Sequence, residues 1–159
     1  MIKIAHRGNV SGPNPGRENT SKYVDEAIAL GYIAEVDIWK VGDRLYMTHD
    51  CKLNDRTEIN IEWLRSRINE LVIHCKDIVA LQYFAGQLDD WHYFWHQEDN
   101  YTLTSAQWIW AYPGQPMHKH SPKNIYDSVE CTSICVMPEL SNQDTSNFAG
   151  VCSDYIENY

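Results

Sequence analysis

Two histidines, an arginine and a pair of spaced acids fall within the first fifty residues. They are His6 and Arg7 in IAHRGNV, Glu35 and Asp37 in AEVDIW, and His49 in MTHD. Imidazoles exchange protons near neutral pH, so His6 and His49 suit an acid–base pair. Arg7 can grip phosphate oxygens in a forked contact. Glu35 and Asp37, two apart on an extended segment, point to one face and can hold one hard divalent cation. Together these groups form a set suited to cleaving a phosphodiester.

Such residues need a scaffold that brings distant segments to one place. Short apolar or β-rich runs recur at Ile2–Ala5, Ile33–Ile38, Leu45–Thr48, Leu71–Cys75, Tyr93–Trp95, Trp108–Tyr112, Ser133–Val136 and Gly150–Cys152. Several are apolar on both faces, as strands covered on two sides should be. Helical spacing marks Thr20–Leu30, stopped by Gly31, and also Ile59–Leu64 and Ile78–Leu88. Gly42-Asp43 reads as a tight reversal between strands. His118–Asp127 reads as a loop, and Ser141–Phe148 as at most one short helix.

The alternation predicts a parallel α/β sheet. Eight strands point to a compact TIM-like (β/α)8 barrel, for which about 250 residues is usual. With 159 residues, several helices must be shortened or missing; an open sheet with fewer strands is the rival. The length suits a single domain over 1–159.

Composition narrows the partners. The net charge is -9 with no basic run, which argues against nucleic acid. An acidic chain can still take a small phosphodiester if a metal and a few cations neutralise the site locally. No apolar stretch reaches membrane-spanning length, and MIKIAHRG lacks a signal-peptide core. Five cysteines leave an odd one, and Cys75, Cys135 and Cys152 sit in apolar runs as buried thiols. Cys131 and Cys135 have no second half of a zinc motif. A reduced, cytoplasmic protein is expected; its oligomeric state is not legible.

The ordered motifs resemble the glycerophosphodiester phosphodiesterase family, within the phospholipase-C-like phosphodiesterase superfamily. The residues that carry the resemblance are His6-Arg7-Gly8, Glu18-Asn19-Thr20, Gly31, Glu35-Val36-Asp37 and His49-Asp50. Weaker echoes are Ile73-His74-Cys75-Lys76 and Gly150-Val151-Cys152-Ser153-Asp154. The resemblance implies a TIM barrel with its site at the C-terminal ends of the strands. It assigns His6 and His49 as the catalytic pair, Arg7 and Lys76 as phosphate contacts, and Glu35 and Asp37 as metal ligands.

The chain departs from the family in two places. Histidine stands at position 74 where the family has a third acidic ligand, and Arg17 replaces the proline before Glu18-Asn19-Thr20. With His74 as ligand, the shell loses a negative charge. Magnesium or calcium is the family's choice, and manganese or zinc becomes favoured by imidazole. Glu98, Glu139 or Asp154 are other acids able to complete the shell.

Each residue has a plainer alternative. Glu35 and Asp37 could be ion-paired with Arg7 and Lys76, and Glu18 and Asn19 could simply order the first loop and cap the helix. His74 is balanced between ligand and core residue. His92 and His96 read as structural, His118 and His120 as solvated. Trp108, Trp110 and Tyr112 could line the mouth, although core packing is the commoner fate of such a run. The expected activity is metal-dependent hydrolysis of a phosphodiester, which the resemblance makes a glycerophosphodiester, by way of a cyclic phosphate. The alternatives are a non-catalytic phosphate or sugar-phosphate binding module and a phosphomonoesterase.

Overall fold

A computed structural model describes residues 1–50, 57–116 and 132–159. Cys51, Cys131, His118 and His120 lie outside them. The elements are β1 (Ile2–His6), α1 (Ser21–Ala29), β2 (Ile33–Val41), β3 (Arg44–Met47), β4 (Thr57–Ile59), α2 (Ile61–Arg65) and β5 (Leu71–Cys75). There follow α3 (Ile78–Ala85), β6 (Tyr93–Phe94), β7 (Tyr101–Leu103), β8 (Ile109–Ala111), β9 (Ser133–Val136) and β10 (Gly150–Ser153). Short 3-10 turns occupy Pro138–Leu140 and Ile156–Asn158.

Local chemistry sets the helix ends. The Thr20 hydroxyl accepts the Tyr23 amide at the start of α1, and Gly31 follows its end at φ +90°. Asn60 and Asp77 cap α2 and α3 in the same way, accepting the amides of Glu62 and Ala80. Gly42, at φ +58°, makes the reversal that joins β2 to β3.

All ten strands belong to one curled sheet. Seven of them run parallel in the order β6-β5-β2-β1-β10-β9-β8. β3 and β4 extend antiparallel from the far end of β2, and β7 pairs antiparallel with β8. The expected (β/α)8 barrel is therefore wrong. Among the described residues there are three α-helices, three strands are antiparallel, and no ladder joins β6 to β8. One of the eight apolar runs, that of β3, belongs to a hairpin arm. A reversal built on Gly42-Asp43 cannot carry the helical crossover that a barrel unit needs. The curled open sheet is half a barrel in shape, covered by helices where connections are long enough to form them.

The gap between β6 and β8 is bridged by side chains. His74 stacks on Phe94 at 4.7 Å between centroids, and Phe94 packs on Trp110 at 4.6 Å. Ser105 ties the two edges: its amide donates to the Tyr93 carbonyl, and its hydroxyl accepts the Tyr93 amide.

Two apolar faces result. Outside, Val36, Ile38, Ile73 and Cys75 pack with Val24, Leu64, Ala80 and Phe84 of the three helices. Inside the curl lie Ile4, Val72, Phe94, Trp110, Ile134 and Cys152. Cys75, Cys135 and Cys152 are buried free thiols, and burial pushes the first two up to about 12. No helix among the described residues is long and apolar enough to cross a membrane.

Gly150 sits where the inner face is tightest. A Cβ there would lie 2.7 Å from Ile2 Cβ, 2.8 Å from Ile134 Cδ1 and 2.8 Å from the Ile2 carbonyl oxygen. The Gly150→Ala variant should lose about 1–3 kcal/mol through overpacking. Urea unfolding measures it; an unchanged midpoint would show that β1, β9 and β10 are not packed as closely as described.

Candidate functional site

The apolar floor of the curl ends abruptly at the C-terminal ends of its strands. In register above it stand His6 on β1, Glu35 and Asp37 on β2 and His74 on β5, with Lys76 just beyond; Asp154 directly follows β10. Glu35 and Asp37 are 2% and 1% exposed. Leaving two carboxylates unpaired at that depth would cost several kcal/mol each, so their partners define the site.

Asp37 is the hub. Its Oδ2 meets Arg7 Nε at 2.9 Å and accepts Asn19 Nδ2 at 2.9 Å, while its backbone amide donates to Asn19 Oδ1 at 3.0 Å. Its Oδ1 faces His74 Nδ1 at 3.1 Å and Lys76 Nζ at 3.4 Å. These contacts are ion pairs without good hydrogen-bond geometry at Oδ1, which is fully buried. Burial alone would raise the Asp37 pKa; His74, Lys76 and Arg7 together hold it far below the usual carboxylate range. Glu35 accepts the Arg7 amide at 3.3 Å and lies 3.5 Å from His74 Nδ1 and 4.0 Å from His6 Nε2.

Two of these partners are held in an uncommon backbone conformation. Arg7 and Asn19 have φ of 54° and 53°, which costs about 1–3 kcal/mol each in non-glycine residues. Both side chains bind Asp37, so the hub retains the strain. Gly8, next to Arg7, sits at φ +85°, and a Cβ there would crowd the Val24 amide at 3.2 Å.

His6 is oriented from behind. Its Nδ1 lies 2.7 Å from Asp154 Oδ1, and Asn9 Nδ2 donates to the same oxygen at 2.8 Å. Asn9 also donates to Glu18, whose other oxygen meets Arg7 Nη1 at 3.3 Å. Burial works against a charged His6, but the Asp154 hydrogen bond and the Glu35 charge outweigh it and its pKa rises. Asp154 in turn is held below its ordinary value by His6 and Asn9, against burial.

His74 has both ring nitrogens engaged. Nε2 lies 3.0 Å from the His96 carbonyl oxygen, which can only accept. That contact places a proton on Nε2 and aims Nδ1 between Glu35 and Asp37. One donor atom from each of Glu35, Asp37 and His74 lies within 4.8 Å of the others, a span that one cation at about 2.0–2.6 Å from each can bridge. This buried triad could therefore hold a metal. It is the one such group of three donors among the described residues.

Glu139 lies elsewhere, accepting from Ser153 Oγ and the Asp154 amide, and Asp154 serves His6 instead of the triad. Without an ion, burial works against a charged His74. The two carboxylates more than offset that, raising its pKa to about 9.

A cavity of about 550 Å³ opens over this layer, lined by His6, Arg7, Glu35, His49, His74 and Lys76. His49 is half-exposed and 2.7 Å from Asp50 Oδ1 through Nδ1; its carbonyl accepts the Trp39 indole N–H at 3.2 Å. Six of the seven residues expected from sequence thus line one cavity, and the seventh, Asp37, lies directly beneath it. His92 is structural, bonded to Thr104 and edge-on to Trp108 with its pKa lowered by burial to about 4. His96 lines the cavity and lends its carbonyl to His74.

Sequence reasoning did not assign Asn9, nor the roles of Asn19 and Asp154. The fragment Gly150–Asp154 carried the signal for Asp154, since a last strand beside the first would bring it to His6.

The His74 shift fixes a pH dependence. A folded pKa of about 9 against an ordinary 6.5 gives stability that is full below pH 6.5 and lost as pH rises through 9. The metal-free protein should therefore show a falling urea midpoint between pH 7 and 9.5. A His74→Gln variant, neutral throughout, should lack that component while keeping the smaller one from His6. Parallel pH profiles in the two proteins would contradict the assigned ion pairs.

Comparison of the chain with protein-family models, with curated proteins and with solved structures gives no match.

Proposed function

We propose that the chain is a metal-assisted phosphodiesterase acting on a diester with a neighbouring hydroxyl, in the manner of the glycerophosphodiester phosphodiesterases that its motifs resemble. The observation that carries the reading is that His6 and His49 share one cavity with the Glu35–His74 edge of the metal-capable triad. Two imidazoles beside a cluster able to neutralise phosphate are what general acid–base cleavage of a diester needs.

One imidazole takes the proton of the substrate's neighbouring hydroxyl as that oxygen attacks phosphorus. The other gives a proton to the departing alkoxide, leaving a cyclic phosphate and an alcohol. Asp154 keeps the Nδ1 side of His6 occupied, so Nε2 is the atom that exchanges protons. Arg7 and Lys76 face the cavity and offset charge on the non-bridging oxygens. Glu35, Asp37 and His74 Nδ1 would hold the cation; when bound, it would supply further positive charge for those oxygens. An imidazole among the ligands favours manganese or zinc over calcium.

A binding module without turnover is the second reading. Its support is that Arg7, His74 and Lys76 already offset the charge of Asp37 without an ion.

The two readings separate in one assay. Incubation of the purified chain with glycerophosphodiesters and manganese should release alcohol, and chelator should abolish release. His6→Ala and His49→Ala should each lower kcat about 10²–10⁴-fold, with little change in thermal midpoint for the exposed His49 and a lowered midpoint for His6, which leaves Asp154 without its imidazole partner. Binding of phosphate esters with no product over long incubation would establish the module instead. A full rate in either histidine variant would end the paired acid–base role.

A further inference from the structure

The cavity's walls divide by strand. Charged and titratable groups come from β1, β2, β5 and the turns after them, from His49 and Asp50 after β3, and from His96 after β6. On the other side, β8, β9 and the turns after them contribute Trp110, Tyr112, Val136, Met137 and Leu140. That second arc is continuous, because β8 and β9 are paired neighbours in register from Ile109↔Ser133 to Ala111↔Cys135. Leu140 is 68% exposed and Tyr112 43%, while Trp110 is buried against Phe94.

We infer that the phosphodiester taken by this site carries an aliphatic ester group that lies along the β8–β9 arc, with its phosphate in the charged half. The inference rests on the phosphodiesterase reading of the same cavity. It adds the chemical class of one alcohol.

Three physical points support it. A volume of about 550 Å³ is in the range that buries a whole drug-sized ligand, so it exceeds what a phosphate and a single glycerol need. The five side chains of the arc bring two hydrogen-bonding groups, the Tyr112 hydroxyl and the buried Trp110 indole N–H; His96, edge-on to Tyr112 at 5.6 Å with its Nε2 bonded to the Asp99 carbonyl, and Gln97 border the arc at one end. A polyol placed there would leave hydroxyls unpaired, at a cost of about 5- to 150-fold in affinity for each. Each methylene buried there instead gains about fourfold. A wall of this kind selects for the aliphatic ester by what it fails to satisfy as much as by what it covers.

The test uses the full chain with manganese and two diesters of glycerol phosphate, one with octanol and one with a second glycerol. Both keep the same attacking hydroxyl. Binding of the corresponding monoesters, octyl phosphate and glycerol phosphate, is measured by calorimetry below the micelle threshold.

The octyl diester should exceed the glycerol diester at least tenfold in kcat/KM, and octyl phosphate should bind at least tenfold tighter. Leu140→Asp should narrow both ratios at least threefold. Tyr112→Ser serves the same purpose if the first variant does not fold. Equal or reversed preference in both assays, or ratios untouched by the variants, overturns the inference and leaves the phosphodiesterase reading standing. A variant-sensitive binding preference without cleavage of either diester keeps the aliphatic arc and removes the turnover. Binding of neither monoester together with cleavage of neither diester overturns both.

Discussion

Two buried carboxylates on one strand govern this molecule. Glu35 and Asp37 are set two apart on β2, in the middle of an otherwise apolar sheet, and both are sealed from water. A charge at that depth needs immediate compensation. The compensation comes from every neighbouring segment: Arg7 and Asn19 from the first loop, His74 from β5 and Lys76 from its end. The left-handed backbone at Arg7 and Asn19 follows from that demand, since each side chain reaches Asp37 from a turn that an unconstrained residue would rarely adopt. The acids thus tie the first loop and two strands into one unit before any ligand is considered.

Topology adds the second layer. The chain's last strand pairs with its first, Ala5 opposite Ser153, so Asp154 follows directly beside His6. A side chain 148 positions away along the chain thereby fixes which nitrogen of His6 is free. Glu139 fixes Asp154 from behind by accepting its amide at 3.0 Å, and Asn9 links it to Glu18 and so to Arg7. His6 and Asp37 consequently belong to one hydrogen-bonded and ion-paired network, while His49 is held through Asp50 and the Trp39 indole.

Legibility from sequence followed the range of the interactions. Strands β5 and β9 lie where the apolar runs put them, and α1 ends at Leu30 and Gly31 because the capping chemistry is local. Glu35, Asp37, His6 and Arg7 were legible as a group because polar residues in an apolar run demand an explanation. β4 and β7 were not; each has only three residues, and each is a strand only through its pairing with a neighbour, β3 and β8. The barrel expectation failed for a related reason. A run of β-type residues does not state its direction, and β3 reads like a barrel stave until Gly42 turns it back along β2. Asn9 was opaque as a site residue because asparagine in a Gly-rich loop is ordinary, and Asn19 was legible as part of a motif but not as a partner of Asp37; only the fold gives them Asp154 and Asp37.

The imidazole at position 74 shows how the layers meet. A carboxylate there would add a third negative charge to a pocket already holding two, and a cation would be obligatory. Imidazole removes that obligation, since His74 with a raised pKa can itself span Glu35 and Asp37. It also keeps the option of a metal, because the His96 carbonyl leaves Nδ1 as the atom facing both acids. A metal entering the triad must then displace a proton, so its affinity is tied to pH in a way that an all-carboxylate shell's is not near neutrality. The ring pays for its place through packing as well: stacked on Phe94, which leans on Trp110, it is the point where the charged arc of the cavity and its apolar arc are joined.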